Sequence, residues 1–320
     1  MTRYLVLRVL SVLPTLLGLS VVVFGVTYLI PGDPALIMAG TDTSPDAVAR
    51  LRQNWGLDQP LYIRYVIWLA HVLQGNLGES YFSRQTVLQL VAGALPTTAE
   101  LATLALLVAV SIAMPTGILC AVRSGSLFDV GAAAIAFVGL SIPGFWLGIM
   151  LIYLFGVQLQ ILPAGGFAPL SDGLIPNLKS MVLPAIALGT FTATQLMRYL
   201  RAGLLDVLHE DHVRTARAKG LGESSVLLRH ALRNALIPFI TVLGVQMGYL
   251  LAGTVIIESV FALPGMGRLV LTAILNRDYQ VATGIILLIG AAFVLINLLV
   301  DLLYPVLDPR IRLGQAANWR

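Results

Sequence analysis

Residues 206–234, DVLHEDHVRTARAKGLGESSVLLRHALRN, form a charged insert between two strongly apolar runs of the chain. The insert is 29 residues long, well beyond the usual connection between two packed helices. The apolar runs on either side extend over about Met181–Leu200 and about Ala235–Ile257. A chain this apolar rarely carries such an insert without a use for it.

The composition of the chain is that of a protein whose solvent is lipid. Of its 320 residues, 58% are hydrophobic and 11% are charged, and the mean hydropathy is +0.87. These values lie far from those of soluble domains. Because lipid offers no partner to backbone amides, about 20 apolar residues in helical form are needed to cross a bilayer. The sequence predicts an all-α integral membrane protein with six transmembrane helices, at about 9–30, 96–122, 130–157, 181–200, 235–257 and 281–303.

The distribution of positive charge predicts which way these spans cross the membrane. Six spans place both termini on one side, and cytoplasmic loops carry an excess of Lys and Arg. The predicted N-terminal segment 1–8, the tail 304–320 and the two loops on their side therefore lie in the cytoplasm of a bacterial cell, with the chain in the inner membrane. Their side carries Arg3, Arg8, Arg123, Arg198, Arg201, Arg214, Arg217, Lys219, Arg229, Arg233, Arg310, Arg312 and Arg320, whereas the short loops opposite carry Lys179, Arg268 and Arg277.

Residues 31–95 form a long segment that this topology places outside the cytoplasm. Pro31–Pro34 must end the first helix, since proline removes a backbone donor and restricts the residue before it. A helix start at Ser44–Ala47 and the helical spacing of apolar residues over Tyr62–Leu73 predict a small helical cap, partly lying on the membrane. A structureless linker is the alternative, which the aromatic and aliphatic content disfavours.

Prolines and glycines within the spans predict interruptions and close helix contacts. Pro115, Pro143 and Pro184 interrupt the helical hydrogen-bond ladder. The pairs Gly144 with Gly148 and Gly244 with Gly248 permit close approach of another helix. That helix belongs either to this chain or to a partner membrane subunit.

The charged insert has the pattern of a helix, a turn and a second helix. Asp206–Lys219 carries its acids early and its bases late, as the helix dipole prefers. Gly220–Gly222 ends this helix, because glycine accepts the left-handed backbone of a helix terminus. The second helix, Ser224–Asn234, runs into the fifth span. We call residues 206–234 the charged hairpin, a cytoplasmic knob that another protein could grip.

Short passages in the charged hairpin and elsewhere carry a family resemblance. Within the hairpin they are Arg214–Leu221 and His230–Asn234, followed by Pro238. The others occur in order over nearly the whole chain, at Pro31–Pro34, Gly56–Pro60, Gly75–Gly78, Glu258–Phe261, Pro264–Gly267 and Asp308–Arg312. The ordered set resembles the dipeptide, oligopeptide and nickel family of ABC importer permeases, and the hairpin passages resemble that family's coupling loop.

This resemblance implies a type I ABC importer permease fold with an extracytoplasmic helical cap and a cytoplasmic coupling helix. It implies a subunit that pairs with a second homologous permease, docks two ATP-binding subunits and receives solute from an extracytoplasmic binding protein. The coupling residues it implies are Asp211, Arg214, Thr215, Ala216, Arg217, Ala218, Lys219, Gly220 and Leu221.

The charged hairpin also departs from the general ABC permease loop pattern, which begins Glu-Ala-Ala. Arg214 stands where the glutamate would be, Thr215 where the first alanine would be, and Arg233 where the later proline would be. A contact with the ATPase through that glutamate is therefore not carried over to this chain.

No nucleotide, metal or catalytic site is expected in the chain itself. A Walker A loop ends Gly-Lys, and neither Lys179 nor Lys219 follows a glycine. ATP and Mg²⁺ would therefore be bound by partner subunits, so this chain is predicted to be no enzyme and to hold no cofactor. His209 and His212 share a helix face, but cytoplasmic exposure and the positions of the neighbouring acids favour a solvated helix start over a metal site.

The segment between the fifth and sixth spans has two interpretations. It is either an extracellular gate or docking surface for the binding protein, or a packed turn. Polar residues inside the spans likewise either line a wet pathway or bond a neighbouring helix. The candidate gate or docking residues between the two spans are Glu258, Phe261, Pro264 and Gly265. The polar residues inside the spans are Thr190, Thr192, Thr194, Gln195 and Gln246.

The sequence favours the transmembrane permease subunit of an ATP-driven importer for dipeptides and oligopeptides. The same importer class acting on glutathione, nickel or an oligosaccharide is the alternative. An ion-coupled secondary transporter would show buried charge pairs and a repeated half, and neither is clear in the sequence. A membrane-embedded enzyme lacks a recognisable nucleophile or metal set, and the basic residues are too scattered for a nucleic-acid surface.

Overall fold

The computed structural model describes residues 2–29, 35–36 and 44–307, with side chains at 8–26, 35–36 and 44–302. Over these ranges the chain is helical, with an isolated β-bridge between Glu79 and Thr86 and no strand. The predicted all-α class is confirmed. The predicted helix stop at Pro31–Pro34 and the family passage at Asp308–Arg312 lie outside the described residues.

The helices are numbered here in chain order. A single 3₁₀ turn at Leu170–Asp172 precedes the helix that begins at Leu174, and a helical turn with a π-helical segment at 223–231 precedes the helix that begins at Leu232. They are α1 (Thr2–Leu29), α2 (Pro45–Asn54), α3 (Leu61–Leu73), α4 (Val87–Val122), α5 (Leu127–Ser141), α6 (Gly144–Leu151, continued as a π-helix to Gln158), α7 (Leu174–Leu208), α8 (Asp211–Ala218), α9 (Leu232–Val260), α10 (Met266–Leu275) and α11 (Tyr279–Leu307).

The described helices are those of a multi-pass membrane protein. Five are long and apolar enough to cross a membrane, and a sixth span results if one bent helix pair is counted as a single crossing. The helices α4 and α7 begin earlier than the apolar runs suggested, at Val87 and Leu174. The helix α2 begins within the predicted start at Ser44–Ala47, and α3 covers the stretch Tyr62–Leu73 that has helical spacing in the sequence.

The early start of α4 has a local cause in the sequence. The Thr86 hydroxyl accepts a hydrogen bond from the Gln89 backbone N–H at 3.3 Å, and the Gln89 side-chain oxygen accepts one from the Thr86 N–H at 3.2 Å. This reciprocal capping box satisfies two N–H groups that a helix start leaves unpaired. The helix then passes through Pro96, where the sequence had predicted its start.

The third span is not the single helix that the sequence predicted over 130–157. The helix pair α5 and α6 bends by 98° at Ile142 and Pro143. Ile142 adopts an extended backbone (φ −86°, ψ 120°), because the ring of the following proline disfavours helical geometry in the residue before it. In contrast, α4 and α7 continue through Pro115 and Pro184.

The chain divides into two compact units. Among the described residues, the first falls within Met1–Leu5, Ala99–Leu263 and Ile296–Arg320, and the second within Val6–Thr98 and Pro264–Leu295. One buried cluster of the first unit includes side chains from α4, α7 and α9, among them Leu101, Met181 and Ile257. A second cluster, around Leu200 and Leu204 of α7, extends into the charged hairpin.

The second unit is held together by aromatic and polar contacts. Phe24 of α1 packs edge-on against Tyr65 of α3, with 5.4 Å between ring centroids, and the Tyr65 hydroxyl lies 2.9 Å from the Ser20 hydroxyl. Farther along the chain, the Ser80 hydroxyl donates to Asp278 Oδ2 at 2.5 Å. Asp278 immediately precedes α11 and is buried.

Asp278 makes the stability of the second unit depend on pH. Burial raises the pKa of its carboxyl above the ordinary value, against the lowering effect of hydrogen bonds from Ser80 and from the Tyr81 N–H. A raised pKa in the folded state means that this group stabilises the fold most below its ordinary pKa, and that the contribution is lost as pH rises through the folded-state pKa. We expect Asp278→Asn to gain stability relative to the parent as the pH rises from about 4 to 7.

The measurement is the melting temperature of the detergent-purified protein, followed by tryptophan fluorescence across this pH range. Asp172→Asn, at an exposed aspartate, is the control and should track the parent. A difference between parent and Asp278→Asn that is constant with pH would contradict the assignment.

Candidate functional site in the charged hairpin

The first arm of the charged hairpin is two helices rather than the one predicted over Asp206–Lys219. The helix α7 ends at Leu208, and Glu210 adopts an extended backbone (φ −71°, ψ 151°) before α8 begins at Asp211. The His209 ring nitrogen Nδ1 lies 2.7 Å from the Leu205 carbonyl oxygen. A side chain that bonds one of the last carbonyls replaces a partner that a continued helix would have supplied.

The turn that follows α8 is fixed by Gly220. Its φ of +78° is the left-handed conformation that glycine adopts at no steric cost. The Gly220 N–H donates to the Arg217 carbonyl at 2.9 Å, and the Leu221 N–H donates to the Ala216 carbonyl at 3.4 Å. These two bonds form a Schellman motif, which ends the helix at a defined residue.

One face of α8 is part of the hydrophobic core of the first unit. Val213 is 0% exposed and Ala216 is 5% exposed, and both belong to the cluster that contains Leu204 and Val207 of α7. Burial of a valine side chain is worth about 1.5–3 kcal/mol. The charged hairpin is therefore attached to the long helices by the same kind of packing that holds those helices together.

The two arms of the hairpin are also joined by an ion pair. The Arg217 guanidinium donates through Nε to Glu223 Oε1 at 2.9 Å and through Nη2 to Glu223 Oε2 at 3.3 Å. Both side chains are partly exposed, so the pair adds little energy but fixes the direction of the guanidinium. Arg217 thus connects α8 to the segment that follows the turn.

The outward face of α8 carries the remaining charge. The Asp211 side chain is 98% exposed and the Arg214 side chain 75% exposed, with 3.6 Å between their charged atoms. Ala216 differs from the other predicted coupling residues because it faces the core. Those that lie on the exposed surface are Asp211, Arg214, Thr215, Arg217, Ala218, Lys219, Gly220 and Leu221.

His209 and His212, the two histidines that share a helix face in the sequence, each have a hydrogen-bond partner in the structure. The His212 ring lies between the Glu210 carboxylate, 3.0 Å from Nδ1, and the Asn234 amide nitrogen, 3.2 Å from Nε2. His209 bonds a backbone carbonyl, as described above. Over residues 44–302 and the described parts before them, no group of three or more His, Cys, Asp or Glu side chains could hold a metal ion.

The predicted gate or docking residues are mostly buried. Glu258 and Phe261 lie inside the first unit, where the Phe261 carbonyl accepts a hydrogen bond from the Gly166 N–H at 2.8 Å. Gly265 of the second unit is also buried, and Pro264 beside it is exposed. The arrangement of Glu258 and Phe261 is that of a packed turn, and Pro264 is the residue of this group with surface to offer a partner.

An ion pair that the sequence did not reveal, between the buried Asp129 and the partly exposed Arg201, joins α5 to α7. The Arg201 guanidinium donates to both oxygens of Asp129, at 2.6 Å from Nε and 2.7 Å from Nη2. Asp129 is 6% exposed and also accepts the Gly125 N–H at 3.0 Å. The signal was present in the sequence, since Asp129 immediately precedes the third predicted span and Arg201 immediately follows the fourth. Both ends lie on the same side in the predicted topology.

A cavity of about 750 Å³ in the first unit borders this ion pair. Its lining includes Gln195, one of the polar residues predicted either to line a pathway or to bond a neighbour. Two other residues of that group, Thr190 and Thr194, bond carbonyls of their own helix and line a second cavity of the first unit. Gln246 is buried, and its side-chain oxygen has no partner among the described residues.

Comparison with known proteins resolves the class of this molecule. Residues 113–313, which include the charged hairpin and the Asp129–Arg201 pair, match the model of a family described as binding-protein-dependent transport system inner membrane component. The chain belongs to this family. Residues 1–102 match the model of its N-terminal membrane component.

Relatives of the transport system family align with the chain from end to end. A Brucella abortus (strain 2308) protein assigned as a peptide transport system permease is 42% identical over 98% of this chain and 99% of its own length. The dipeptide transport system permease protein DppB of Escherichia coli (strain K12) is 40% identical over 98% of this chain and 99% of its own length. A Sinorhizobium fredii protein assigned as a peptide ABC transporter permease is 39% identical over 97% and 99%.

Membership of the transport system family bears on two alternatives raised for the sequence, a secondary transporter and a membrane-embedded enzyme. The chain is a multi-pass membrane component of a binding-protein-dependent transport system, and no catalytic role is implied for it. The partly buried Asp129–Arg201 pair is a charge pair of the kind expected in a secondary transporter, so its presence alone does not distinguish a secondary transporter from an ATP-driven importer.

Gly220 and Gly222 provide a matched test of the turn. A Cβ at either position would meet no atom within 4 Å, but only Gly220 has a positive φ. We expect Gly220→Ala to destabilise the hairpin by about 1–2 kcal/mol, the cost of left-handed backbone for an L-residue. Gly222→Ala should be neutral or stabilising by about 0.4–1 kcal/mol.

Hydrogen exchange of the amides at 211–226, measured by mass spectrometry, reports this difference directly. Equal exchange rates in the two variants would show that the Gly220 turn is not what fixes the end of α8.

Proposed function

We propose that the chain is the permease subunit of an ATP-driven importer of dipeptides or oligopeptides, and that the charged hairpin is where its ATP-binding subunits dock. The observation that carries this proposal is the two-faced structure of α8. Val213 and Ala216 are packed in the core, whereas Asp211 and Arg214 are exposed. A partner that binds the exposed face of α8 and moves it would therefore displace the long helices that pack against the buried face.

Peptide as the solute is supported by the named relatives. The aligned proteins of Brucella abortus, Escherichia coli and Sinorhizobium fredii carry peptide or dipeptide transport names, and each aligns over at least 97% of this chain. Glutathione, nickel and oligosaccharides remain the alternatives within the same importer class.

The complete machine needs further subunits. In this proposal a second homologous permease completes the pathway, two ATP-binding subunits bind ATP and Mg²⁺, and an extracytoplasmic binding protein delivers the solute. The assembled complex, rather than this chain, would be the ABC-type ATPase. Exposed Pro264 is the residue of the predicted gate group that fits a contact with the binding protein.

The orientation follows from the charge bias of the loops. Both termini and the charged hairpin would lie in the cytoplasm, because the arginines of the hairpin and of its neighbouring loops are on that side. Nucleotide-driven closure of the ATP-binding subunits would then bias the helices between two arrangements, one open to each side of the membrane.

Charge reversal on the exposed face tests the docking role. Arg214→Glu changes a side chain that is 75% exposed and outside the core, so the chain should reach the membrane at its normal level. We expect co-purification of the ATP-binding subunits, and ATP-dependent uptake of labelled dipeptides, to fall about tenfold or more, since 1.4 kcal/mol of lost contact corresponds to a factor of ten.

Lys179→Glu is the matched control. It makes the same charge reversal at an exposed position on the opposite face in the predicted topology. This variant should retain the ATP-binding subunits. Full retention and full uptake by Arg214→Glu would remove the charged hairpin as the docking site.

A further inference from the structure

We propose that Asp129 and Arg201 are a positioning pair that makes α5 follow α7, so that a displacement of the charged hairpin reaches the third span. This inference rests on the proposed function only in that partner subunits move the hairpin. It assigns a role to two residues outside the docking surface, in a part of the first unit that the coupling-loop resemblance does not include.

The first step is the connection between Arg201 and the hairpin. Arg201 lies on α7 one turn before Leu204. Leu204 and Val207 share a buried cluster with Val213 of α8. Because interiors are close-packed, a displacement of α8 is passed to this end of α7 with little loss. Arg201 moves with it.

The second step is the rigidity of the link from Arg201 to α5. Two parallel N–H···O bonds of 2.6 and 2.7 Å hold the guanidinium and carboxylate planes in one relative orientation. Asp129 is further fixed because its backbone N–H donates to the Ser126 hydroxyl at 3.3 Å and its Oδ2 accepts the Gly125 N–H. The start of α5 therefore cannot turn without Arg201.

The third step is that further contacts continue along the same two helices. The Arg198 guanidinium carbon lies 5.3 Å from the centroid of the Phe137 ring, in a cation–π arrangement. A Cβ on Gly139 would lie 3.3 Å from the Thr194 hydroxyl. The helices are thus apposed from Asp129 to Gly139, with the ion pair as the directional contact at one end.

The fourth step is the break at the other end of α5. The 98° bend at Ile142 and Pro143 interrupts the helix, so α6 cannot impose its orientation on α5 through a continuous hydrogen-bond ladder. Several side chains of α5 are exposed, with Leu127 and Ile135 at 93% and 75%. The position of α5 therefore depends on its lateral contacts, of which those with α7 include the only ion pair that α5 makes among the described residues.

The experiment uses the full complex in proteoliposomes, with a spin label at Ile135→Cys in a Cys120→Ala background, which adds no hydrogen-bond donor beside Asp129. The compared chains are the parent, Asp129→Asn, Arg201→Lys and the charge exchange Asp129→Arg with Arg201→Asp. Arg123→Gln is the control, because it removes a charge from an exposed side chain in the same turn without touching the pair. Each complex is measured without nucleotide and with ATP and vanadate.

In the parent and in Arg123→Gln we expect the spectrum of the label to change with nucleotide. The change should be lost in Asp129→Asn, reduced in Arg201→Lys and partly regained in the charge exchange. ATP hydrolysis by the assembled complexes should stay near the parental rate, while labelled dipeptide moved per ATP should fall about tenfold, within the usual 5–150-fold range of coupling between sites. A pair that serves only to stabilise the fold would lower the amount of complex and leave this ratio unchanged.

An unchanged spectral response in Asp129→Asn and Arg201→Lys would overturn the inference, as would a parent label that does not respond to nucleotide. Should Asp129→Asn fail to assemble, Arg201→Lys carries the test, because it keeps the positive charge and loses only the two-bond geometry. A parent whose label responds, but which moves no dipeptide, would contradict the peptide function and leave the positioning role supported.

Discussion

The burial of Val213 and Ala216 among side chains of α7 and α9 joins the polar part of this molecule to its apolar part. Lipid requires that every backbone amide find a partner within the chain, which is why the membrane part consists of long helices. Such helices have no means of receiving a signal from a water-soluble protein unless one of them continues into a charged, folded element. In this chain α7 leads into the charged hairpin, and α9 follows it. Side chains of α7, the hairpin and α9 share one buried cluster, so the three are expected to move together.

Some connections between helices in this chain are rigid, and at least one is interrupted. The Schellman turn at Gly220 and the Arg217–Glu223 pair fix the shape of the hairpin, and the two-bond Asp129–Arg201 pair fixes α5 to α7. The break at Pro143 does the opposite and releases α5 from α6. A two-state transporter needs both properties, because packed elements switch between discrete arrangements about a small number of interruptions.

The sequence predicted the class of fold because composition and the length of apolar runs depend only on local chemistry. The turn at Gly220 follows from the same local chemistry, whereas the first arm of the hairpin, predicted as one helix, is interrupted at His209 and Glu210. The sequence misjudged the start of α4, where the Thr86–Gln89 capping box extends the helix beyond the apolar run, and it merged α5 with α6 although Pro143 was recognised. Asp129 and Arg201 are 72 residues apart in sequence, and their pairing was not predicted. The burial of Glu258, which was interpreted as a gate or docking residue, was not predicted either. Both facts depend on tertiary packing, which local patterns do not encode.

The central claim is that the exposed face of α8 is gripped by ATP-binding subunits in the cytoplasm. Its most direct test places a photo-crosslinking amino acid at Arg214 in intact cells that express the whole transport system, and identifies the adduct by mass spectrometry. The account predicts an adduct with an ATP-binding subunit, and a much weaker one from Val213, which is 0% exposed. An adduct with the extracytoplasmic binding protein, or equal yields from the two positions, would contradict it.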